Sequence, residues 1–431
     1  PAPETFNIQV LHGSADAPPV NVKVNGSAVL EDVDFKVGSE QLVLEVGTYS
    51  IEVEAILPGG NATVIGPVSL DFAADTTYTI AAVGNVASSD ASTALQPIVF
   101  SQTRDNPAAG SARLAVLHGA PAAPAVDVYV TALDADLGGT VPVGSFAFGE
   151  TIGPAEVTAG DYQIRVTLAG DPDAVVFDSG AVSLAAGNDF FVTALPSTNA
   201  GSSPISLSLL TGSGSAEILT TGTPASLRVF HKSPDAPAVD IVVNDNFAAP
   251  LVPDLGFPDF AGYVNVPADS YNVKVTAAGN PGAIVIDADL TLDAANAYDV
   301  LAVDSLAAIE PLVLNDDPRS ISTYAKVRIV HASPTAQDVD IYVTAPGTDI
   351  NSVDPALTSV PFKASTGYIP LTEGSYDVTV VPAGTKDAAI GPATFAFANG
   401  DVFTVVARDA VGGGGPLNVV VAADVVGPDA D

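Results

Sequence analysis

A phrase built around a histidine occurs four times in this chain, and the four copies contain every histidine of the protein. These residues are His12, His118, His231 and His331, separated by 106, 113 and 100 residues. Regular recurrence at about the length of one small domain is the signature of a tandem array. The sequence therefore predicts four copies of one domain. The predicted boundaries are residues 1–104, 105–218, 219–318 and 319–431.

Each copy repeats the same pattern of extended segments. An alternating stretch follows the histidine turn, as in residues 126–130 (Val-Asp-Val-Tyr-Val), and period-two alternation with β-branched residues is typical of a half-buried strand. A second alternating stretch carries a tyrosine in every copy: Tyr49, Tyr162, Tyr271 and Tyr376. About seven short strands per hundred residues, with turn signals between them, indicate a sandwich. We predict an all-β protein of four tandem immunoglobulin-like β-sandwiches with Greek-key connections.

Composition limits the chemistry and the partners of this chain. Without cysteine it has no disulfide, thiolate metal site or cysteine nucleophile. The 50 acidic and 14 basic residues give a net charge of −36, which repels nucleic acid and anionic membranes. No apolar run is long enough to span a membrane. Because the chain begins at Pro1 rather than methionine, we expect an exported protein that has lost a signal peptide and acts outside the cell or on its surface.

The histidine phrase admits a catalytic, a metal-binding and a structural interpretation. His231, Ser233 and Asp235 are the residue types of a catalytic triad, but the serine position becomes Ala120 in the second copy, and neighbours on one turn rarely converge as a triad. One histidine per copy cannot supply the several imidazoles of a zinc site. We therefore expect no enzyme, and predict that the ring hydrogen-bonds to backbone groups of the turn. The prolines of this turn are Pro18, Pro124 and Pro237.

Two kinds of surface site remain open. Asp16 and Asp235 in the turns, together with Asp240 on the following strand, are hard oxygen ligands of the kind that Ca²⁺ prefers. The alternative is that these acids belong to a dispersed, hydrated surface suited to saline surroundings. No other cofactor is expected. Asn25 and Asn61 begin Asn-x-Ser/Thr sequons and are candidate glycosylation sites.

The third copy carries a motif that resembles a known family. Residues 231–241 read His-Lys-Ser-Pro-Asp-Ala-Pro-Ala-Val-Asp-Ile, and a Tyr-x-Val-x-Val stretch follows from Tyr271. This combination is similar to bacterial and archaeal proteins grouped as domain of unknown function 4397. The second copy departs from the pattern at Ala120 and Ala122. The resemblance implies exported cell-surface or extracellular repeat proteins with a sandwich fold and no established activity, so no catalytic residue is carried over.

Two functions from different classes follow as expectations. The first is a structural protein that associates with itself into a surface filament, matrix or layer, through contacts between domains and through exchange of the terminal strands at residues 6–11 and 417–421. The second is a cell-surface adhesin that binds a glycan or a protein partner through loops at the sandwich ends. For the second, Phe257, Phe260 and Tyr263 form the only loop-like aromatic cluster.

Overall fold

The regular structure of this chain consists of strands and two single 3₁₀ turns, as seen in a computed structural model that describes residues 3–424. No helix in that range is long and apolar enough to cross a membrane. Alternating apolar residues form the strands, and Gly, Pro, Asn and Asp terminate them. The all-β prediction is confirmed.

The strands fall into four sets that follow the four repeats. Repeat 1 contains β1 (Thr5–Gly13), β2 (Val20–Val24), β3 (Ser27–Val33), β4 (Leu42–Glu45), β5 (Gly47–Ala55), β6 (Ala62–Phe72), β7 (Thr76–Val83) and β8 (Gln96–Thr103). Repeat 2 contains β9 (Ser111–His118), β10 (Val126–Thr131), β11 (Gly144–Phe146), β12 (Thr151–Thr158), β13 (Gly160–Leu168), β14 (Val175–Leu184), β15 (Asp189–Pro196), β16 (Ile205–Leu210) and β17 (Ser215–Ile218).

The second half of the chain repeats this plan. Repeat 3 contains β18 (Ala225–His231), β19 (Val239–Val243), β20 (Val252–Leu255), β21 (Phe260–Val266), β22 (Asp269–Ala277), β23 (Ile284–Leu292), β24 (Ala297–Val303), a 3₁₀ turn (Leu306–Ala308) and β25 (Glu310–Asp316). Repeat 4 contains β26 (Ala325–His331), β27 (Val339–Thr344), a 3₁₀ turn (Ile350–Ser352), β28 (Leu357–Val360), β29 (Ser365–Leu371), β30 (Gly374–Pro382), β31 (Ile390–Phe397), β32 (Val402–Arg408) and β33 (Asn418–Ala423).

Every repeat has the same strand order in its two sheets. The first sheet places the fourth, first, seventh and eighth strands side by side, and the second sheet places the third, second, fifth and sixth. The first and seventh strands run parallel, with His12 opposite Ala82, and the other neighbours are antiparallel. The tandem sandwich prediction is confirmed. The order differs from that of immunoglobulin constant domains, which divide seven strands as ABED and CFG.

Each sandwich encloses its own apolar core. In repeat 2, Leu114 and Val116 from the first sheet meet Val128 and Phe177 from the second. Equivalent cores fill repeats 1, 3 and 4. The domain boundaries predicted from the sequence remain a proposal. Residues 211–224, which follow the eighth strand of repeat 2, contain β17, which adds a fifth strand to the first sheet of that repeat.

The chain divides into two compact units, and each unit contains two repeats. Unit 1 comprises residues 1–223 and 321–323, and unit 2 comprises residues 224–320 and 324–431. In unit 1 the outer faces of two first sheets pack together, with Leu11 and Val83 of repeat 1 against Leu117 and Leu195 of repeat 2. Gly13 lies in this contact, where an added Cβ would come within 2.9 Å of the Leu195 side chain.

Unit 2 has a corresponding contact between repeats 3 and 4. Phe230 and Leu301 of repeat 3 pack with Val330 and Val406 of repeat 4, and all four side chains are fully buried. As a result β18 and β26 are buried along their whole length, although each lies in a sheet whose outer face would meet water in an isolated sandwich. The repeats of each unit are therefore joined by a second apolar core.

Candidate functional site

The four motif histidines occupy the same environment at the end of the first strand of each repeat. In every copy the ring Nε2 lies 2.8–3.1 Å from the backbone oxygen of the residue six positions later. Those residues are Pro18, Pro124, Pro237 and, in the fourth copy, Gln337. The imidazole therefore spans the turn and binds a carbonyl group that the turn would otherwise leave unpaired.

The other ring nitrogen also contacts the backbone in three repeats. Nδ1 of His118, His231 and His331 accepts a hydrogen bond from the amide two residues later, at 3.3–3.4 Å. Because Nε2 then donates and Nδ1 accepts, these rings are neutral with the proton on Nε2. Burial lowers the pKa of all three histidines, since the charged form would lose its hydration.

The recurrent tyrosines close a turn between the fourth and fifth strands. Each hydroxyl donates to the backbone oxygen four residues upstream, at 2.7–2.9 Å. The pairs are Tyr49 with Glu45, Tyr162 with Thr158, Tyr271 with Pro267 and Tyr376 with Thr372. The ring of each tyrosine packs against the core of its repeat. The tyrosine thus connects the core to the turn in which the chain passes from the first sheet to the second.

The aspartates considered for calcium accept hydrogen bonds from backbone amides. Asp16 accepts from the amides of Val86 and Ala87, both at 2.9 Å, and Asp235 accepts from Leu306 at 2.7 Å. These bonds tie the histidine turn to the loop after the seventh strand. Asp240 contacts two separate segments, through the amide of Asp254 in β20 at 2.8 Å and the amide of Gly279 in the loop after β22 at 2.9 Å.

The aspartates at the position of Asp240 in repeats 2 and 4 also accept hydrogen bonds from backbone amides. Asp340 accepts from the amides of Ser359 and Gly384, both at 2.8 Å, and Asp127 accepts from Gly170 at 2.8 Å. In residues 3–424, no group of three or more His, Asp or Glu side chains is placed to hold a metal ion. Calcium binding by Asp16, Asp235 and Asp240 remains an untested prediction.

The two sequon asparagines lie on exposed turns of repeat 1. Asn25 has a positive φ of 52° in the turn between β2 and β3, and its Oδ1 accepts from the amide of Ser50 at 2.9 Å. Asn61 lies just before β6, and its Nδ2 donates to Glu54 at 3.1 Å. Both asparagines therefore have hydrogen-bonding roles in the protein itself, and their glycosylation remains a prediction.

A cluster of buried charges between repeats 3 and 4 was not predicted. The Arg228 guanidinium binds both carboxylate oxygens of Asp299, at 2.6 and 2.7 Å, and also Asp424 at 2.6 Å. Arg328 lies 2.5 Å from Asp299 and 2.5 Å from Asp316. The side chains of all five residues are at most 2% exposed. This ion-pair cluster, defined by these five residues, lies in the contact between the two first sheets.

Two tyrosines complete the ion-pair cluster in a pseudo-symmetric manner. Tyr263 donates to Asp316 at 2.6 Å and lies under Arg228, while Tyr368 donates to Asp424 at 2.7 Å and lies under Arg328. The equivalent strands of the two repeats thus supply equivalent residues. The symmetry breaks opposite the arginines, where repeat 3 has Asp299 and repeat 4 has Thr404.

The charges of the ion-pair cluster do not balance. Three carboxylates face two guanidinium groups, so one carboxylate is poorly compensated. Burial raises the pKa of Asp299 to about 7, the nearby Asp316 adds to this, and the two arginines oppose it. Burial also raises the pKa of Tyr263 and Tyr368 well above the ordinary value. The sequence carries one signal for this cluster, since arginine occurs three residues before the histidine only in repeats 3 and 4.

The aromatic cluster expected to serve an adhesin is not a loop platform. Phe260 and Tyr263 belong to β21, and Phe260 stacks on the buried Phe230 with ring centres 5.0 Å apart. Phe257 contacts the ring of His231 edge-on, and Arg408 lies over its face. These rings pack within unit 2, so the expectation that they form an exposed sugar-stacking surface is wrong.

The terminal strands proposed for exchange differ in their surroundings. Residues 6–11 lie in β1, which pairs with β4 on one side and β7 on the other, so this strand has no free edge within its own chain, and its exchange between chains remains a prediction. Residues 418–421 lie in β33, which pairs with β32 and ends its sheet. The side chain of Ala422 in β33 is buried in the contact between repeats 3 and 4. Release of β33 would therefore disrupt unit 2.

Comparison with solved structures gives only distant likenesses. The Bacillus anthracis TIE protein is 11% identical, with a TM-score of 0.18 over 90% of this chain, and this chain spans 65% of that protein. A family 41 carbohydrate-binding module from streptococcal virulence factors is 12% identical, with a TM-score of 0.16, over 42% of this chain and 93% of the module. A variant of BcpA, the major pilin subunit of Bacillus cereus, is 9% identical, with a TM-score of 0.14, over 94% of this chain and 99% of the pilin. Likeness at this level carries no argument about function.

The family comparison is more specific. No curated protein matches the sequence. The model of the family described as "Domain of unknown function (DUF4397)" matches residues 6–129, 225–342 and 325–431, which together make up most of the chain. The matches contain the histidine turns of repeats 1 to 4 and the tyrosines Tyr49, Tyr271 and Tyr376. The chain therefore belongs to the DUF4397 family.

Proposed function

We propose that this protein is a non-enzymatic, extracellular structural repeat protein that associates with itself into a filament, matrix or layer. One observation carries the proposal: in both units, the outer faces of two first sheets are buried against each other. A sandwich that needed only to present a binding loop would leave this face in water. Here the face joins one repeat to the next, and contacts between neighbouring repeats are what stabilise a repeat array.

The recurrent side chains support a structural rather than a chemical role. In repeats 2, 3 and 4 both ring nitrogens of the histidine contact backbone groups, so neither is available to activate a serine hydroxyl. The tyrosines and the strand aspartates likewise contact backbone groups. The side chains that recur thus hold the fold together.

The net charge of the chain makes its self-association dependent on salt concentration, which can be tested. Copies that each carry a net charge of −36 repel one another, and salt screens exposed charges beyond about 10 Å at 0.1 M. We therefore expect association to strengthen as the salt concentration rises.

Negative-stain electron microscopy of the native, unheated full chain tests the proposal. Samples are compared across a series of salt concentrations, with sedimentation velocity on the same samples. We expect fibres or sheets with a regular repeat at high salt and separate particles at low salt. Separate particles at every salt concentration would contradict self-association, and binding of such particles on a glycan array would favour the adhesin instead.

A further inference from the structure

The eighth strand of each repeat presents an apolar residue at one equivalent position. The residues at this position are Val99, Leu209, Val313 and Val421, which pair with Ile80, Val192, Val300 and Val405 of the seventh strands. In repeats 1, 3 and 4 the valine is 46%, 40% and 37% exposed. Leu209 of repeat 2 is only partly exposed. Repeat 2 therefore covers a position that the other repeats leave open.

The cover in repeat 2 is its own following segment. β17 pairs with β16, so that Ala216 lies opposite Leu209 and Ile218 opposite Leu207, and Ile218 packs against the core. Beyond β17 the chain reaches the second sheet, where the amide of Thr221 donates to Asp178 on β14 at 2.7 Å. An added strand thus closes the side of the sandwich between the sixth and eighth strands.

Repeat 1 has no such cover in the described part of the chain. β8 pairs only with β7 and ends its sheet. On the facing edge of the second sheet, Val64 and Val68 of β6 are 38% and 43% exposed. Behind these valines lies a cavity of about 120 Å³, lined almost entirely by aliphatic side chains of both sheets. The open side of repeat 1, defined by β6 and β8, is therefore an apolar slot beside an unpaired strand edge.

We propose that the open side of repeat 1 binds a second copy of this chain, with β8 of the two copies paired antiparallel about a two-fold axis near Val99. Such pairing continues the first sheet from one molecule to the next and brings the Val99 side chains together over the apolar slots. The inference rests on the self-association proposed above and names one of its contacts, which by itself joins the chains in pairs.

Charge and backbone chemistry favour a second copy at this edge. β8 has the sequence Gln-Pro-Ile-Val-Phe-Ser-Gln-Thr and contains no charged residue, although the chain carries a net charge of −36. Natural edge strands are often protected from such pairing by charges or by proline. β8 lacks the charges, and its one proline, Pro97, is the second residue of the strand, so the strand from Ile98 to Thr103 has every backbone amide. The strand edge offers unpaired amide and carbonyl groups, which a second strand satisfies and a lipid does not. A symmetric contact is also closed and self-complementary.

Val99→Lys, compared with Val43→Lys, tests the inference in the full chain. Val43 is 63% exposed on β4, the opposite edge of the same sheet, so it is a matched control. Each substituted lysine would place a charge in the apolar slot, which salt does not screen when the contact excludes water, so we expect Val99→Lys to weaken association at least about tenfold while Val43→Lys leaves it unchanged. Sedimentation velocity at high salt measures association, and circular dichroism confirms that both variants are folded.

A single cysteine provides a second, independent readout because the chain has none. Directly opposed residues of antiparallel strands have Cβ atoms about 4.5–5.5 Å apart. We therefore expect Val99→Cys to form a covalent dimer with a short bis-maleimide, and Val43→Cys to remain monomeric. Normal association of Val99→Lys, or an associated Val99→Cys sample without covalent dimer, would overturn the inference alone. A wild-type chain that never associates would overturn the proposed function as well.

Discussion

At the scale of single residues, the positions that recur in all four repeats are explained by backbone hydrogen bonds. The histidine ring contacts a carbonyl group six residues later, and the tyrosine hydroxyl contacts one four residues earlier. Buried carbonyl and amide groups are costly when unpaired, so a turn between two sheets needs such side chains. Recurrence here reflects requirements of the fold.

Replacement of a motif histidine is expected to destabilise unit 2. His331→Ala removes contacts with the Gln337 oxygen and the Ser333 amide and leaves a small cavity, at a cost of about 2–4 kcal/mol. Urea unfolding of the full chain measures the effect. Thr335→Ala, at an exposed position in the same turn, is the control and should change stability by less than about 0.5 kcal/mol. A loss below 1 kcal/mol for His331→Ala would contradict the structural role.

The same histidine should give a pH dependence of known sign. Burial lowers the pKa of His331 below its ordinary value of 6.5, so the folded state binds fewer protons than the unfolded state below that pH. The stability that this residue contributes is present above pH 6.5 and decreases as the pH falls. We expect the difference between wild type and His331→Ala in urea midpoints to narrow on acidification. A difference that widens would contradict a neutral ring.

Sequence alone could predict which residues recur but not what all of them contact. The positions of the histidines and tyrosines follow directly from the repeat. The role of the aspartates could not be predicted in the same way. Asp240 accepts a hydrogen bond from the amide of Gly279, 39 residues away, but in the sequence alone it cannot be distinguished from an aspartate that is free to bind a metal ion. Partners at that separation depend on strand register, which a single sequence does not specify.

At the scale of strands and loops, an aspartate on the second strand connects two neighbouring hairpins through hydrogen bonds. Asp340 in β27 accepts from the amide of Ser359 in β28 and from the amide of Gly384, in the loop after β30. These amides hold the pKa of Asp340 below its usual range. The residue is almost fully buried by its neighbours. One carboxylate therefore connects β28 with the loop after β30 at one end of the second sheet.

Loss of the Asp340 carboxylate should loosen both β28 and the loop after β30. Asp340→Ala leaves two amides without their acceptor, and we expect a cost of about 2 kcal/mol in unfolding free energy. Hydrogen exchange should speed up locally at Ser359 and Gly384. Asp387→Ala, at an exposed position nearby, serves as the control. Unchanged hydrogen-exchange rates at the amides of Ser359 and Gly384 would show that the Asp340 carboxylate does not order these two segments.

The sequence indicates that the first strand of a repeat is buried on both of its faces. Strands with one wet face alternate apolar and polar residues, as in residues 126–130, whereas residues 114–118 read Leu-Ala-Val-Leu-His. Continuous apolar runs are typical of strands buried on both faces. What lies on the second face could not be predicted, because a run of this kind does not distinguish a neighbouring repeat from another chain.

At the scale of the whole molecule, the ion-pair cluster makes unit 2 different from unit 1. Repeats 1 and 2 have Gln9 and Ala115 where repeats 3 and 4 have Arg228 and Arg328. Buried ion pairs are weak evidence for stability, since desolvation offsets much of the attraction. Buried ion pairs do destabilise any incorrect pairing of repeats in which a buried charge has no opposite charge beside it. The cluster therefore favours the pairing of repeat 3 with repeat 4 over other combinations.

The unbalanced cluster should make unit 2 sensitive to pH. The folded pKa of Asp299 is about 7 against an ordinary value of 3.8, so the folded state binds more protons between these values. Its contribution to stability is therefore complete below about pH 4 and is lost as the pH rises to 7, by up to about 1.4 kcal/mol per pH unit.

Asp299→Asn isolates this contribution. The amide cannot lose a proton, so we expect the variant to lose the decline in unfolding free energy between pH 4 and 7 that wild type shows. Asp293→Asn, at an exposed position in the same repeat, should keep the wild-type profile. Urea unfolding at pH 4.5, 5.5 and 7 measures all three proteins. Parallel profiles for wild type and Asp299→Asn would contradict the raised pKa.

Thiol labelling shows whether repeats are joined in pairs through the outer faces of their first sheets. Val83→Cys in unit 1 and Val330→Cys in unit 2 place a cysteine at fully buried positions on these faces, and Val43→Cys places one at a position that is 63% exposed. We expect the two buried thiols to react with a maleimide at least about a hundredfold more slowly than the control, and unfolding in urea to abolish the difference. Equal rates in the native protein would mean that these faces lie in water and that the repeats are not paired.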